Sequence, residues 1–462
     1  MARLFQNYPL LLLKESRIIL RLAVPVMAAQ VGQNLMTFVD TIMVGHYSAQ
    51  HLAAIAAGTM LFFPLQVFAN GVLMALSPIV AQFYGSGQQP AIGAYVRQGL
   101  YLSQLLALPI FLIVRHLAPV LGWIGIEPKV VAIADGYIHA ISWGLPAAFA
   151  FMALRLFNEG IAVMKPGMYF TLVALACNVV GNSILIYGRF GLPELGAVGA
   201  GWSTAIAWWV MLACMTVYVG INRHLKPFNL LERFDRPNAR KLLGLLKMGL
   251  PIGLSLILEV GMFAATTLLI GGLGTNVLAG HQVALNVAAM SFMVPLGLSI
   301  ATTVRVGQLV GQGNVLDARF SGLTSLVISV AIMTSASLVL ICFPMAIAGF
   351  YTSDPQVKVI AVKLLMMAAI FQIFDGLQVV AIGALRGLKD TRMPMLFNLI
   401  SYWLVGLPIG YFLGIVGSFG AQGLWAGFIA GLLMSACLNN LRFFRLTKPQ
   451  QRSASKSVIS SS

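Results

Sequence analysis

Charge is what this sequence has least of. Only 9% of its 462 residues are Asp, Glu, Lys or Arg, whereas an average globular chain has about 25%. Hydrophobic residues make up 59%, and apolar stretches of about 20 residues, long enough to cross a bilayer, recur along the chain. These stretches are continuous and do not alternate over about ten residues, which excludes a β-barrel. The composition therefore predicts an all-α polytopic membrane protein embedded in a lipid bilayer.

Motifs for several kinds of chemistry are missing as well. The sequence has no GxxxxGK(S/T) phosphate loop, no HExxH zinc motif, no GxGD protease motif and no TVGYG-like filter. The four cysteines lie one each in apolar stretches and lack CxxC spacing; they are Cys177, Cys214, Cys342 and Cys437. We therefore expect neither an enzyme nor a resident cofactor.

Basic residues outnumber acidic ones by 29 to 13, but their positions argue against a nucleic-acid partner. They lie in short segments between apolar stretches, where the positive-inside rule places them on the cytoplasmic side. The one long hydrophilic segment, residues 220–247, holds seven Lys and Arg residues near the middle of the chain. We therefore predict that both termini and this linker are cytoplasmic.

The apolar stretches predict twelve transmembrane helices. We place them at residues 18–43, 52–83, 96–120, 131–156, 166–187, 197–219, 244–270, 278–305, 320–345, 357–384, 394–415 and 422–442. The corresponding domains are a six-helix N-terminal lobe (1–219), a cytoplasmic linker (220–243), a six-helix C-terminal lobe (244–445) and a disordered tail (446–462).

The two halves form an internal repeat. A shift of 226 residues without a gap aligns Pro25 with Pro251, Gly45 with Gly271, Leu52-Ala53 with Leu278-Ala279, Gln82 with Gln308, Gly85 with Gly311 and Gly87 with Gly313. Six spans in each half make the repeats parallel, related by an axis along the membrane normal. Two such lobes facing each other across a cavity are the architecture of alternating access; the alternative is a duplicated bundle without a transport role.

Three acidic residues stand alone in apolar spans: Asp40, Glu259 and Asp375. The other ten, Glu15 and Glu159 among them, are expected in loops or at span ends. No Lys or Arg is expected near mid-span to pair with the three, and His281 is at most a weak base. A lone carboxylate in hydrocarbon costs several kcal/mol, so it either holds a proton or binds a cation such as sodium. The alternative is a neutral acid bonded to a helix backbone.

Polar residues accompany these acids. One helix face carries Gln30, Gln33, Asn34, Thr37, Asp40 and Thr41, and two further pairs lie one turn apart, Asn178 with Asn182 and Gln282 with Asn286. Such amides also serve as links between helices. Phe371 lies one turn before Asp375 on the same face and offers an aromatic surface to organic cations, as do Phe38, Tyr402 and Trp403 elsewhere.

Several segments together resemble one known family. They are "FVDTIMVGH", "VAQFYGSG", "VGQLVGQGN", "ILEVGMF" and "IFDGLQVVAIGALRGLKDTRMPM". The chain is similar over about residues 15–445 to the multidrug and toxic compound extrusion (MATE) transporters, in particular to their bacterial NorM-type branch. The resemblance implies twelve helices in two lobes and export of cationic, amphipathic drugs in exchange for sodium ions or protons.

The resemblance also implies roles for particular residues. Glu259 and Asp375 look like a C-lobe cation site with possible sodium ligands, and Asp40, Asn178 and Asn182 look like an N-lobe site. The expected substrate contacts are Asp40, Gln33, Gln282, Asn286, Phe371 and Asp354. In "TSDPQV", Asp354 is also an ordinary helix N-cap before proline. Phe371 has no phenol oxygen, so a sodium ion there would have fewer ligands.

These observations predict a monomeric multidrug antiporter of the bacterial inner membrane whose partners are small cationic drugs. The first alternative is a lipid-linked oligosaccharide flippase with the same two lobes, which needs a basic central cavity for pyrophosphate. The mid-span acids and amides disfavour it. An intramembrane enzyme lacks a catalytic constellation, and a channel leaves the duplicated lobes unexplained.

Overall fold

In the computed structural model, residues 8–230 and 235–448 are described, and within these two ranges the secondary structure is helical throughout, with no strand. The predicted all-α class is therefore confirmed. The expectation of a disordered tail falls on residues that lie outside the described ranges, apart from residues 446–448.

Twelve long helices account for most of the described residues. The first half contains α1 (Tyr8–Tyr47), α2 (Ala49–Gly85), α3 (Gln89–Val114), α4 (Pro128–Ser142 and Leu145–Gly160), α5 (Lys165–Leu185) and α6 (Ala197–Ile221). The second half contains α7 (Ala239–Gly271), α8 (Thr275–Gly311), α9 (Val315–Cys342), α10 (Pro355–Gly387), α11 (Arg392–Val416) and α12 (Gly420–Leu446). Shorter elements are the helices Ala118–Trp123 and Pro344–Tyr351 and the 3-10 helices Arg189–Gly191 and Arg223–Phe228.

Length and hydropathy identify the membrane-crossing helices. Ten of them are individually long and apolar enough, and the two segments of α4, bent by 44°, make an eleventh. The remaining long helix, α1, has 40 residues and carries the polar row found in the sequence. Each predicted span coincides with one of these helices, so the protein is a multi-pass membrane protein.

The helices form two lobes, each with its own apolar core. One core joins the helices of the first half to the start of α7, and the other lies among α7, α8 and α10 to α12. The predicted two-lobe architecture is confirmed. All helices alternate in direction, so the start of α1, the ends of α2 and α8, and the linker lie at one end of the molecule, called here the linker end.

The linker is bound to the N-lobe along α3. The Arg97 guanidinium pairs with the Asp235 carboxylate, and the Tyr101 hydroxyl donates to the Asp235 carbonyl. The Gln98 side chain accepts from the backbone N–H of Asn238, which in turn caps α7. Because of this cap, α7 begins at residue 239, five residues earlier than the predicted 244. The free connection between the lobes is therefore shorter than the sequence suggested.

Candidate functional site

Asp40 is the centre of a hydrogen-bonded cluster inside the N-lobe. Its Oδ1 accepts from the side-chain amide of Asn182 at 2.6 Å and from that of Asn178 at 3.0 Å. Its Oδ2 accepts from the Thr204 hydroxyl at 2.9 Å. The carboxylate is buried, with 7% of the residue exposed. Helices α1, α5 and α6 therefore meet at this carboxylate, and the sequence-based grouping of Asp40 with the two asparagines corresponds to direct contact.

The asparagines are themselves held in place. Asn182 donates to the Asn178 carbonyl oxygen at 3.3 Å, and the Ser203 hydroxyl donates to the Asn178 backbone carbonyl at 2.9 Å. The Oδ1 atom of Asn182 is buried without a hydrogen-bond partner in the described part of the chain. The cluster thus combines a carboxylate with amide and hydroxyl oxygens, a ligand set suited to a hard cation or to a protonated acid.

Thr204 and Ser203 were not predicted from the sequence as members of this cluster. Hydroxyl side chains are frequent in membrane helices because they bond to their own backbone one turn earlier; Thr171 does so with Gly167, at 2.8 Å. Nothing in "GWSTAIAWW" distinguishes Thr204 from such a residue, and only the approach of α6 to α1 gives it another acceptor.

A buried ion pair lies deeper in the same lobe. The Arg155 Nε atom donates to Glu159 Oε1 at 2.7 Å, and its NH2 atom donates to Gln30 Oε1 at 3.0 Å. Arg155 and Glu159 are each 3% exposed. Glu159 lies at the end of α4, as predicted, and it is buried there together with Arg155.

In the C-lobe, Asp375 on α10 is buried and Glu259 on α7 is half-buried. The two carboxylates interact electrostatically, and Glu259 also interacts with the Arg386 guanidinium near the end of α10. Arg386 is buried, with 7% of the residue exposed, and lies in the last turn of α10, so it is not a mid-span partner of these acids. Neither carboxylate makes a hydrogen bond or close ion pair within residues 8–230 and 235–448.

His281 does not pair with either acid. Its Nδ1 accepts from the Trp425 indole N–H at 3.1 Å, and its Nε2 lies 3.0 Å from the Thr267 hydroxyl. The indole can only donate, so Nδ1 is the acceptor and the proton of the neutral ring is on Nε2. His281 is therefore occupied as a structural link between α7, α8 and α12.

Phe371 lies in an aromatic cluster inside the C-lobe and does not line a cleft in this conformation. Its ring contacts those of Phe263, Trp425 and Phe428, with centroids 5.7 to 6.2 Å apart. Only 3% of the residue is exposed. The structure thus places this expected substrate contact in the core, one turn from Asp375.

The remaining expected substrate contacts lie at the surface. On α1, Gln33 is half-buried, while Gln282 and Asn286 on α8 are exposed. The polar row of α1 does not share one environment, since Asp40 points into the lobe and Thr37 is exposed. Asp354 caps α10 by accepting from the N–H groups of residues 356 and 357, at 2.8 and 3.3 Å, as its sequence context predicted.

Helices α1 and α8 meet at the boundary between the lobes. The Asn34 amide approaches the Met293 sulfur to 2.8 Å, linking the two helices across the molecule. From this contact toward the linker end, α1 and α8 pack together through apolar residues. Toward the opposite end, Thr37 and Phe38 of α1 and Asn286 of α8 are exposed. The two helices are therefore in contact toward the linker end and carry exposed side chains toward the other end.

The closed end contains a reciprocal pair of contacts. Gln82 at the end of α2 donates to the Gly387 carbonyl at 2.9 Å, and Gln308 at the end of α8 donates to the Gly160 carbonyl at 3.0 Å. Gln82 and Gln308 are repeat counterparts, so each lobe contributes the same residue to the other. A Cβ at Gly85 would clash with the backbone of Gln308, and one at Gly311 with that of Gln82. Glycine is required here because the two backbones touch.

Charged groups join the lobes at the same end. The Arg305 guanidinium binds the Glu15 carboxylate through two hydrogen bonds of 2.7 and 2.9 Å. The Lys389 ammonium lies 5.4 Å from the centre of the Phe83 ring, across the lobe boundary. Glu15 was expected in a loop or at a span end; α1 extends back to residue 8, so Glu15 lies within the helix and contacts α8.

Comparison with known proteins agrees with this architecture. The sequence profile of the MatE family matches residues 25–184 and again residues 251–412. The second match starts at residue 251 and the first at residue 25, so the two starts differ by the same 226 residues as the internal repeat.

Solved structures of the same fold cover nearly the whole chain. The chain is 20% identical to the eukaryotic MATE transporter AtDTX14, with a TM-score of 0.86 over 94% of this chain and 98% of that one. It is also 20% identical to a multidrug resistance MATE family transporter of the MOP superfamily in an outward-facing conformation, with a TM-score of 0.86 over 94% of this chain and 96% of that one. A MOP superfamily transporter from Pyrococcus furiosus gives the same values. The fold is shared at this low identity, and because the profile covers well over half of the residues, the chain belongs to the MatE family.

Proposed function

We propose that this protein is a secondary active transporter that exports cationic, amphipathic compounds in exchange for sodium ions or protons. The observation that carries the proposal is the arrangement of two lobes whose helices α1 and α8 are in contact toward the linker end and exposed toward the other end, with a buried acid inside each lobe. Asp40 in the N-lobe and Glu259 with Asp375 in the C-lobe are the groups that would bind the coupling ion. Alternating access follows if the lobes rock about their contact.

The orientation of the molecule decides the direction of transport. By the positive-inside rule, the linker end is cytoplasmic, in a bacterial inner membrane. The cleft then opens outward, and the contacts at Gln82 and Gln308 close the cytoplasmic side. Ions enter from outside and reach the acids, the substrate leaves the cleft, and the lobes return to face the cytoplasm.

The energetics are sufficient for export. One positive charge moving inward gains about 2.3 kcal/mol per 100 mV, and each tenfold ion ratio adds about 1.4 kcal/mol. One or two ions per cycle therefore support substrate gradients of roughly tens- to thousands-fold if coupling is tight.

In this proposal the substrate lies in the cleft. Gln33, Gln282 and Asn286 supply polar contacts from α1 and α8, and Asp354 lies at the outer end of α10. Asp40 lies on the face of α1 that points into the N-lobe. A coupling ion bound at Asp40 and a substrate cation on the other side of α1 are therefore both attracted by this carboxylate, and each weakens the binding of the other. Phe371 contributes by packing one turn before Asp375 and becomes a substrate contact only if the aromatic cluster opens.

A pyrophosphate carrier fits the described residues less well. The buried guanidinium of Arg155 is bonded to Glu159, and that of Arg386 interacts with Glu259. Binding of an anion by Arg155 would leave the Glu159 carboxylate buried and unpaired, which costs several kcal/mol.

The test is ethidium flux in proteoliposomes with sodium and proton gradients imposed independently. We expect uphill ethidium movement driven by at least one of the two gradients and abolished by an ionophore for that ion. An ethidium flux that is the same with and without each gradient, in vesicles shown to be sealed, would contradict the proposal.

A further inference from the structure

The first turn of α6 is capped by a side chain from another helix. Ala197 is the first residue of α6, and its backbone N–H has no acceptor within the helix, as is general for a first turn. The residue before it is Gly196, which has no side chain to accept this hydrogen bond. The N–H donates instead to His51 Nδ1 at 3.0 Å, and His51 lies in the first turn of α2. The imidazole therefore does for α6 what an N-cap side chain ordinarily does.

The imidazole is closely packed at the end of the N-lobe opposite the linker end. A Cβ atom on Gly196 would clash with the rings of His51 and Tyr47, and the φ of Gly196 is +54°, so glycine is required here. The Tyr47 ring meets the imidazole edge-on, with ring centroids 5.0 Å apart. The Gly196 N–H donates to the carbonyl of Ile186, just after the end of α5, at 3.3 Å. The turn between α1 and α2 is therefore joined to the connection between α5 and α6.

The hydrogen bond to α6 requires a neutral imidazole. A backbone N–H can only donate, so Nδ1 is the acceptor and the proton of the neutral ring is on Nε2. Protonation of His51 would place a second N–H on Nδ1, which would then face the N–H of Ala197, donor against donor. The imidazolium would also lie at the positive ends of two helix dipoles, those of α2 and α6. The cap therefore holds only while His51 is uncharged.

Other ionisable side chains lie on the elements around the imidazole. In chain order they are His46, Tyr47, Arg115, His116, Glu127, Lys129, Asp135, Tyr137, His139, Tyr187, Arg189 and Glu194. The Glu194 carboxylate accepts from the Tyr47 hydroxyl at 3.5 Å, and the Asp135 carboxylate pairs with His139 at 3.2 Å. These two acids thus have partners other than the imidazole, whose one hydrogen bond in the described part of the chain comes from the start of α6.

Thr204 lies on the same helix, two turns further into the lobe. It follows Ala197 by seven residues, which is about 10 Å along the helix axis. Its hydroxyl donates to Asp40 Oδ2 at 2.9 Å, so the cap at the start of α6 helps to fix the position of this donor. His51 is half-buried whereas Asp40 is buried, so His51 is the more accessible of the two to protons from the outer side.

We propose that His51 is a positioning residue of the N-lobe, whose neutral imidazole holds the start of α6 and so keeps Thr204 bonded to Asp40. Protonation of His51 from the outer side releases the start of α6, and Asp40 then keeps two hydrogen-bond donors instead of three. The inference rests on the proposed function for the role of Asp40, whereas the cap itself does not depend on that role.

The experiment measures hydrogen exchange of the first turns of α6 in purified full-length protein. An unperturbed histidine changes its charge between about pH 8 and about pH 5, so exchange is measured at both values and compared with the rate of the unstructured peptide at the same pH. In the wild type, the protection of residues 197–204 should fall by about fivefold on acidification, which corresponds to the loss of one hydrogen bond.

Two substitutions at His51 separate its acceptor atom from its titration. His51→Asn places an amide oxygen where Nδ1 lies, and this oxygen accepts at any pH, so the protection should be high at both pH values. His51→Leu removes the acceptor, so the protection should be low at both. His46→Asn is the matched control, because His46 is exposed on α1 and its Nδ1 lies 2.8 Å from the Ile42 carbonyl of its own helix. This variant should keep the pH response of the wild type.

Ethidium flux at the higher pH tests the link between His51 and Asp40. The wild-type imidazole is then neutral, so His51→Leu should lower the flux by about fivefold, the factor for one lost hydrogen bond. His51→Asn should restore the flux, because it restores the acceptor. A general defect of folding would lower the flux in both variants.

The outcomes separate this inference from the proposed function. Wild-type protection that does not change with pH, or protection in His51→Asn as low as in His51→Leu, would overturn the inference. Wild-type flux in His51→Leu would overturn the link to Asp40. If the wild type moves no ethidium while the exchange results are as expected, the cap of α6 by neutral His51 is upheld and the export function is rejected.

Discussion

The acid sites of the two lobes differ in how completely the protein satisfies them. Asp40 accepts three hydrogen bonds, from Asn178, Asn182 and Thr204. Asp375 and Glu259 accept none within the described residues. The repeat explains part of the difference, because the counterpart of Asp40 is Thr266 and that of Glu259 is Gln33.

This difference predicts that the acid sites of the two lobes respond differently to ion binding. A carboxylate held by three donors keeps its geometry without an ion, since its supporting groups fix it in place. A carboxylate without donors depends on its ion or proton for compensation. We therefore expect the N-lobe cluster to be organised before binding and the C-lobe site to become organised through binding.

The largest expected effect is loss of export when the C-lobe acids are neutralised. Asp375→Asn and Glu259→Gln should each abolish ethidium efflux, because an amide neither takes up a proton nor neutralises a bound ion. Efflux is measured in cells at matched protein levels. The control is Asp317→Asn, which changes an exposed acid at the start of α9. Wild-type efflux in both variants would remove Glu259 and Asp375 from the coupling mechanism.

The next prediction concerns stability. Asp40→Leu leaves the donors of two asparagines unsatisfied and should lower the free energy of unfolding by roughly 2–5 kcal/mol. Asp375→Leu removes no hydrogen bond and replaces a buried carboxyl group by an apolar one, so it should change stability by less than about 1 kcal/mol or increase it. Denaturation followed by tryptophan fluorescence in sodium-free buffer tests this. Equal losses in the two variants would contradict the contrast between the lobes.

A smaller effect is expected at Thr204. Thr204→Val keeps the shape and removes the hydrogen bond to the Asp40 carboxylate, which should cost about 1.5–3 kcal/mol, the range for bonds to charged groups. Thr266→Val, at the repeat counterpart of Asp40, is the matched control and should cost less. The same denaturation assay distinguishes them, and a larger loss at Thr266 would argue against the special role of Thr204.

The smallest effect is expected where the lobes are alike. Gln82→Leu and Gln308→Leu each remove one reciprocal hydrogen bond and should weaken closure of the linker end equally, by about 1 kcal/mol. Spin labels at Ser86→Cys and Gln312→Cys, with the native cysteines replaced, report the distance between the lobes. Both variants should broaden the distance distribution similarly, whereas Gln88→Leu at an exposed position should not. A shift in only one of the two would show that the closed end is not symmetric.

Much of the molecule was accessible from the sequence. The scarcity of charge determined the membrane class, and the shift of 226 residues determined the two lobes. Asp40, Glu259 and Asp375 were found because a single acid in an apolar stretch is conspicuous. Asn178 and Asn182 were found because one-turn spacing places two amides on one helix face.

The tertiary structure alone decided which helix each polar face meets. Periodicity gives the face of a helix but not its neighbour, so the sequence could not show that Arg155 binds Glu159 and Gln30 inside the lobe. It also could not separate Thr204 from the many hydroxyl residues that bond only to the backbone of their own helix. Thr204 acquires its role from side chains on other helices, because the Asp40 carboxylate and the Asn178 amide are brought to it only by the packing of the lobe.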